Sequence, residues 1–275
     1  MSGIISGTIG IVGAGKMATA LAEGAVRSGV ASEEQLLASA RTEDTLAQLR
    51  QRIPGIRTTT SNSEVAEQAD LLILGVKPQV MAAALADIRG SVRPQTLVVS
   101  IAAGVTLEQL AKPFKRGTRV VRVMPNTPCL IGKGAAAFSL GEHATKDDAK
   151  LVELLVSAVG EGYAVPEYQL DAVTGLSGSG PAYVYTAIEA LTDAAVRVGL
   201  PRAVASQLAA RTVAGAAEMV LSTGKHPAVL RDEVTSPGGT TAAGLAALEA
   251  NGFRHALAEA VSAAESRSRE LGESS

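Results

Sequence analysis

The sequence predicts an α/β domain on a mostly parallel sheet over residues 1–165, followed by an all-α domain over residues 166–275. Three observations predict it. Apolar strand-like runs alternate with helical segments through the first part, the pattern of a parallel sheet covered on both faces. A glycine-rich turn, Gly13-Ala14-Gly15-Lys16-Met17-Ala18, sits between the first strand and the first helix. From Leu170 onward every periodic segment is helical.

The elements follow in order. Thr8-Ile9-Gly10-Ile11-Val12 reads as a buried strand, and residues 16–28 place Met17, Leu21, Ala25 and Val26 near one helical face. Leu36-Leu37-Ala38-Ser39 is a second strand, and residues 42–50 form a polar helix with acidic residues in its first turn. A strand at 56–60 and a short helix at 63–68 lead to the strongly apolar strand 71–76, closed by Lys77-Pro78. Then come helix 79–88, strand 96–101, helix 107–111, and strand 119–124 ended by Pro125-Asn126-Thr127-Pro128. Strands at 134–140 and 162–165 flank a helix at 147–159. Helices at 182–198, 202–222, 227–234, 242–250 and 253–271 complete the chain, and residues 272–275 are expected to fray.

Composition excludes several partners. With 25 basic and 27 acidic residues, the formal charge of -2 favours neither nucleic acid nor an anionic membrane. The single cysteine, Cys129, permits no intramolecular disulfide, and His143, His226 and His255 show no metal spacing, so no metal site is expected. The N-terminus lacks a signal-peptide pattern and no apolar run approaches the roughly 18 residues of a membrane span. A cytoplasmic protein is expected. The chain is 47% hydrophobic without a tryptophan, so its core is aliphatic and alanine-rich, and a partner subunit is expected to cover surface that alanine cannot.

The glycine turn matches GxGxxG/A: the first glycine makes the turn, the second admits a pyrophosphate, and the small Ala18 lets helix and strand pack closely. Dinucleotide binding follows from that context. At the end of the second strand, where a carboxylate would select NAD, the sequence has Ala38-Ser39-Ala40-Arg41-Thr42. Ser39 can donate a hydrogen bond and Arg41 can pair with a 2′-phosphate, so NADPH is preferred and NADH remains possible; Arg41 also fits a solvated surface position. Lys77, after an apolar strand, fits a phosphate or ribose contact or a plain surface lysine. Ala102-Ala103 follows another strand as a cofactor wall, and Asn126 either orients a nicotinamide amide or caps its turn.

Two further segments suggest a substrate site. Thr174-Gly175-Leu176-Ser177-Gly178-Ser179-Gly180-Pro181-Ala182-Tyr183 opens the first long helix, with Ser179 as its expected cap. Ser236-Pro237-Gly238-Gly239-Thr240-Thr241 enters another helix, where free N–H groups and hydroxyls can hold a small carboxylate without a basic side chain. A turn followed by a simple helix cap accounts for the same six residues.

Taken together, these segments resemble the Δ1-pyrroline-5-carboxylate reductase family over nearly the whole chain. The residues that carry the resemblance are 11–17, Val76-Lys77-Pro78, 101–105, Asn126-Thr127-Pro128, DAVTGLSGSGPAY at 171–183 and RDEVTSPGGTT at 231–241. It implies a Rossmann domain and a helical domain that interlocks with a second copy, building a homodimer and in many members a larger ring such as a decamer. It implies NAD(P)H-dependent reduction of a cyclic imine, 1-pyrroline-5-carboxylate, to L-proline, the last step of proline biosynthesis. Cofactor contacts would fall on Ile11, Val12, Gly13, Ala14, Gly15, Lys16, Met17, Ser39, Asn62, Val76, Lys77, Pro78, Ile101, Ala102 and Ala103, with Asn62 resting on the resemblance alone. Substrate contacts would fall on Ser236, Gly239, Thr240, Thr241, Glu167 and Glu233, with Thr241 as the catalytic hydroxyl beside the ring nitrogen. A rival reading, a 3-hydroxyacid dehydrogenase, would need a lysine base in the helical domain, and Lys225 is its candidate.

Overall fold

The computed structural model describes residues 5–273. Eight strands form one sheet: β1 Ile9–Val12, β2 Leu36–Ser39, β3 Arg57–Thr59, β4 Leu71–Leu74, β5 Leu97–Ser100, β6 Arg119–Met124, β7 Gly134–Leu140 and β8 Gly160–Ala164. Their order is β3-β2-β1-β4-β5-β6-β7-β8, and every pairing is parallel except β6 with β7. The order reverses at β1, between β2 and β4, which is the switch point where open α/β sheets bind ligands. The helices among these strands are α1 Lys16–Arg27, α2 Glu43–Arg52, α3 Asn62–Gln68, α4 Pro78–Ile88, α5 Leu107–Ala111 and α6 Lys146–Ser157.

Burial explains the arrangement. Leu71, Leu72, Ile73 and Leu74 of β4 are all essentially inaccessible, as a central strand covered on both faces requires. One core layer gathers Ile9, Ile11, Leu21, Ile73 and Phe138, and the other gathers Val12, Leu72, Leu74, Leu85 and Val98. Each such side chain contributes about 1.5–3 kcal/mol. Thr42, Ser61, Thr106 and Thr145 each accept a first-turn N–H, capping α2, α3, α5 and α6.

Several expectations shift. The strand expected at 162–165 is β8, Gly160–Ala164. Gly160 pairs with Gly134, where a Cβ on Gly160 would lie 2.0 Å from the Gly134 carbonyl oxygen, and glycines at strand starts read as breakers. The segment before the first long helix is not a capped loop. It runs as α7 Leu170–Val173 and then a π turn at Thr174–Gly178, with Ser179 N–H donating to the Thr174 carbonyl at 2.8 Å. Ser179 itself has helical φ and ψ and closes the C-terminal end of the π turn, rather than standing outside the helix as the expected N-cap of the first long helix. Gly178 lets this turn approach β6, because a Cβ there would meet the Met124 side chain at 2.5 Å.

The remaining helices are α8 Gly180–Arg197, α9 Arg202–Thr223, α10 Pro227–Glu233, α11 Thr240–Ala250 and α12 Phe253–Glu273. Although the last strand ends at Ala164, the chain divides into compact units elsewhere: residues up to 179 with those from 263 onward, and residues 180–262. The end of α12 is thus part of the sheet unit. Gln109 Nε2 donates to the Gly272 carbonyl at 3.0 Å, so Gly272 is held and helical, contrary to the expected fraying. Residues 274 and 275 lie outside the described residues. Among the described residues, no helix is long and apolar enough to cross a membrane.

Candidate active site

In-register strands bring five loops to one edge of the sheet. Val12 pairs with Ser39 and Leu74, Leu74 with Ser100, and Ser100 with Arg122, so the residues that follow these positions share a rim. Gly13 adopts φ +92°, and a Cβ there would lie 2.6 Å from Val76 Cγ1. Only glycine fits. The N–H groups of Gly13 and Ala14 donate to the Ser39 carbonyl at 3.1 and 3.2 Å. A Cβ on Gly15 would stand 3.4 Å from the Gly75 carbonyl, an ordinary contact, so what glycine contributes here is bare backbone at the helix start. Gly15 is the N-cap of α1 without a side-chain cap, and no acidic residue stands in the first turn. The helix start is therefore open to an anion. Ala18 closes the motif: a Cβ on Gly75 would fall 2.5 Å from Ala18 Cβ.

Ser39 is fully buried and donates to Asn62 Oδ1 at 2.7 Å. The serine turns inward, which sets the orientation of the Asn62 amide at the first residue of α3. Asn62 was invisible to residue patterns because its partner lies across a strand–helix crossover. Arg41 is exposed beyond the same strand end. Lys77, also exposed, is the N-cap of α4 just before Pro78, and Val76 packs beside the core. Ile101 N–H donates to the Leu74 carbonyl at 3.2 Å and Ala102 N–H to Ser100 Oγ at 3.3 Å, holding the start of the loop that contains Ala103. Asn126 is nearly buried, and its Oδ1 accepts the Ala135 N–H at 2.9 Å, tying the β6–β7 connection together rather than capping its own turn. Nearby Cys129 is buried, and burial pushes its thiol above the usual range, so it is no ready nucleophile.

Glu167 and Arg122 belong to one ionic group. Arg122, buried in β6, faces Glu167 Oε1 at 3.3 Å and Asp171 Oδ1 at 3.7 Å. The same Glu167 oxygen accepts the Leu107 N–H at 2.6 Å. Sequence reasoning missed Arg122, since an arginine in an apolar strand carries no local signal for partners some 45 residues away.

The other expected residues lie in the helical unit. Ser236 C=O accepts the Gly239 N–H at 3.0 Å across Pro237 and Gly238, whose φ is +67°. This is the residue pattern of a type II turn. A Cβ on Gly239 would collide with Ser236 Oγ at 2.2 Å, so glycine lets the serine fold over it. Gly239 is the N-cap of α11 and has no side-chain cap bond, while Thr240 and Thr241 are the first two helical residues. The helix is thus capped by a glycine after a turn, and neither threonine nor Ser236 supplies a side-chain cap. Its first N–H groups, by helix geometry, have no intrahelical acceptor. Glu233 instead pairs with Lys225 at 2.6 Å, both half exposed. The lysine that the rival dehydrogenase needs is engaged in that pair.

The comparisons agree with this geometry. Residues 167–271 match the family model for pyrroline-5-carboxylate reductase dimerisation, and residues 8–104 match that for NADP oxidoreductase, coenzyme F420-dependent. A pyrroline-5-carboxylate reductase of Methanosarcina acetivorans is 46% identical over 96% of this chain and 97% of its own length. The chain belongs to the pyrroline-5-carboxylate reductase family. The solved pyrroline-5-carboxylate reductase from Coxiella burnetii superposes with a TM-score of 0.91 at 35% identity, covering 97% of this chain and 99% of that one. A Plasmodium falciparum pyrroline carboxylate reductase, solved with NADP bound, gives 0.86 at 32% identity over 98% and 100%. Membership in the pyrroline-5-carboxylate reductase family makes the chain an oxidoreductase, and its helical part carries the family's dimerisation region.

Proposed function

We propose that the protein reduces 1-pyrroline-5-carboxylate to L-proline with NADPH, closing proline biosynthesis in the cytoplasm. The observation that carries the reading is the start of α11 in a chain of this family: a glycine-capped helix end with no side-chain cap bond, suited to an anion, and with no basic side chain of its own in the turn. Residues 1–165 act as the dinucleotide-binding domain and residues 166–275 as the substrate and dimerisation domain.

The sheet rim fits a dinucleotide because Gly13 and Gly75 let the turn, the β4 end and α1 pack closely, which leaves backbone rather than side chains at the start of α1. The open start of α1, over Gly13, Ala14, Gly15, Lys16 and Met17, takes the pyrophosphate, with Ile11 and Val12 aiming the turn. Asn62, oriented by Ser39, and the Arg41 guanidinium take the ribose and its 2′-phosphate, so NADPH is preferred while NADH is tolerated. Val76, Lys77 and Pro78 and then Ile101, Ala102 and Ala103 form the walls, and Asn126 steadies the β6–β7 connection at the same rim. The bound cofactor supplies a hydride to the C=N carbon.

Ser236, Gly239 and Thr240 hold the substrate carboxylate at the start of α11, which fixes the ring for reaction. The Thr241 hydroxyl hydrogen-bonds the ring nitrogen and positions it. A threonine hydroxyl is too weak an acid to protonate an imine, so solvent supplies that proton before binding, and the iminium becomes a neutral amine. The exposed apolar side chains of the helical unit support a homodimer, and a larger ring such as a decamer is the assembly proposed from it. Mixing the protein with NADPH and pyrroline-5-carboxylate tests the activity: NADPH absorbance should fall as proline appears. Oxidation of a 3-hydroxyacid instead, with no imine turnover, would favour the dehydrogenase.

A further inference from the structure

We propose that Glu167 and Arg122 are positioning residues for the cofactor wall, and that Glu167 is not a substrate ligand. This rests on the reading above, in which the loop at 101–105 borders NADPH. That loop joins β5 to α5 and contains Gly104 at φ +72°, a point of backbone freedom. Its near end is tied to the sheet by Ile101 N–H and Ala102 N–H. Its far end is the first turn of α5, where Leu107 N–H donates to Glu167 Oε1 at 2.6 Å. Arg122 stands beside Ser100 in the sheet register and is 3% exposed, so its charge must be matched inside the protein. Glu167 and Asp171 match it.

Two further bonds close the frame. Ser268 Oγ donates to Asp171 Oδ1 at 2.7 Å, and Gln109, whose Oε1 accepts the Thr106 N–H at 2.8 Å, donates to the Gly272 carbonyl. The end of α12 thereby backs the same turn, with the Leu271 Cβ 3.5 Å from where a Gly104 Cβ would sit. A rigid strand residue, a carboxylate and the C-terminal turn together hold a glycine-containing loop from its far side.

The test uses the full chain, wild type, Glu167→Ala and Glu167→Gln. NADPH affinity is read from the cofactor's own fluorescence, and amide hydrogen exchange is read across residues 101–110 without cofactor. Losing a hydrogen bond to a charged group should weaken NADPH binding about tenfold in Glu167→Ala and speed exchange at Leu107 and the loop, while KM for the imine stays within about twofold. Glu167→Gln keeps an acceptor for Leu107 and should recover most of both losses. Unchanged NADPH affinity and exchange in folded Glu167→Ala would overturn the proposal. So would a rise in imine KM with NADPH affinity intact, which would make Glu167 a substrate ligand. If Glu167→Ala does not fold, Ser268→Ala should show the same changes at about two- to threefold, and no change there overturns the frame. Failure of the wild type to bind NADPH would sink the cofactor reading instead, while exchange at Leu107 still judges the latch.

Discussion

The sheet unit and the helical unit solve the same problem, hiding apolar surface, to different degrees. In the sheet unit every side chain of β1, β2, β4 and β5 is buried, and two core layers close within one chain. In residues 180–262 only Thr192, Ala205 and Ala209 are buried. Tyr185, Val198 and Leu221 are 61%, 79% and 76% exposed, and Val204, Leu208 and Met219 lie along one face of α9. A sheet surrounded by its own crossover helices closes its central strands within one chain. Long alanine-rich helices bury little area per contact, so this unit is finished only by another surface. The region matching the family's dimerisation model is the one left open.

Substitutions can break or sharpen that contrast. The largest effect belongs to the closed core: Phe138→Ala, at a side chain 2% exposed, should cost about 3–5 kcal/mol in denaturant unfolding. Next, Gly13→Val places a side chain at φ +92° against Val76 and should weaken NADPH binding about 100-fold by fluorescence titration, with the sheet still folded by circular dichroism. In the open unit, Leu208→Glu puts a charge on the exposed face of α9. Sedimentation should then show dissociation at concentrations where wild type is associated, a change of about 2 kcal/mol; unchanged association would remove that face from the interface. Thr241→Ala should lower kcat/KM for the imine by about tenfold through one lost hydrogen bond, and activity equal to wild type would end its role at the ring nitrogen. The smallest effect is Arg41→Ala, expected to reduce the NADPH-over-NADH preference by roughly five- to tenfold at an exposed position, with NADH kinetics as the internal control.

Much of the candidate site could be read before the fold was known, because its signals are local. Gly13 and Gly15 announce a tight turn before a helix, and Pro237 with Gly238 announces another. The unread parts depend on distant partners. Ser39 meets Asn62 across an intervening helix and strand, and Glu167 meets Arg122 and the Leu107 N–H from a segment far along the chain. The π turn at Thr174–Gly178 was missed for a related reason. Its serines and glycines suit a loop by propensity, whereas the fold runs them as a wide helical turn with Gly178 close beside Met124.

By itself the sequence determined the alternation of strands and helices, the glycine turn that opens α1, the turn that opens α11 and the aliphatic character of the core. These follow from backbone freedom and side-chain periodicity, which act over a few residues. Only the tertiary structure decided where hydrogen bonds and charges are spent. It turned Ser39 inward to Asn62, engaged Glu167 with Arg122 and Leu107, paired Lys225 with Glu233, and left the start of α11 without a side-chain cap. A donor or a charge commits to whichever partner the completed fold brings within about 3 Å, and no local pattern specifies that distance.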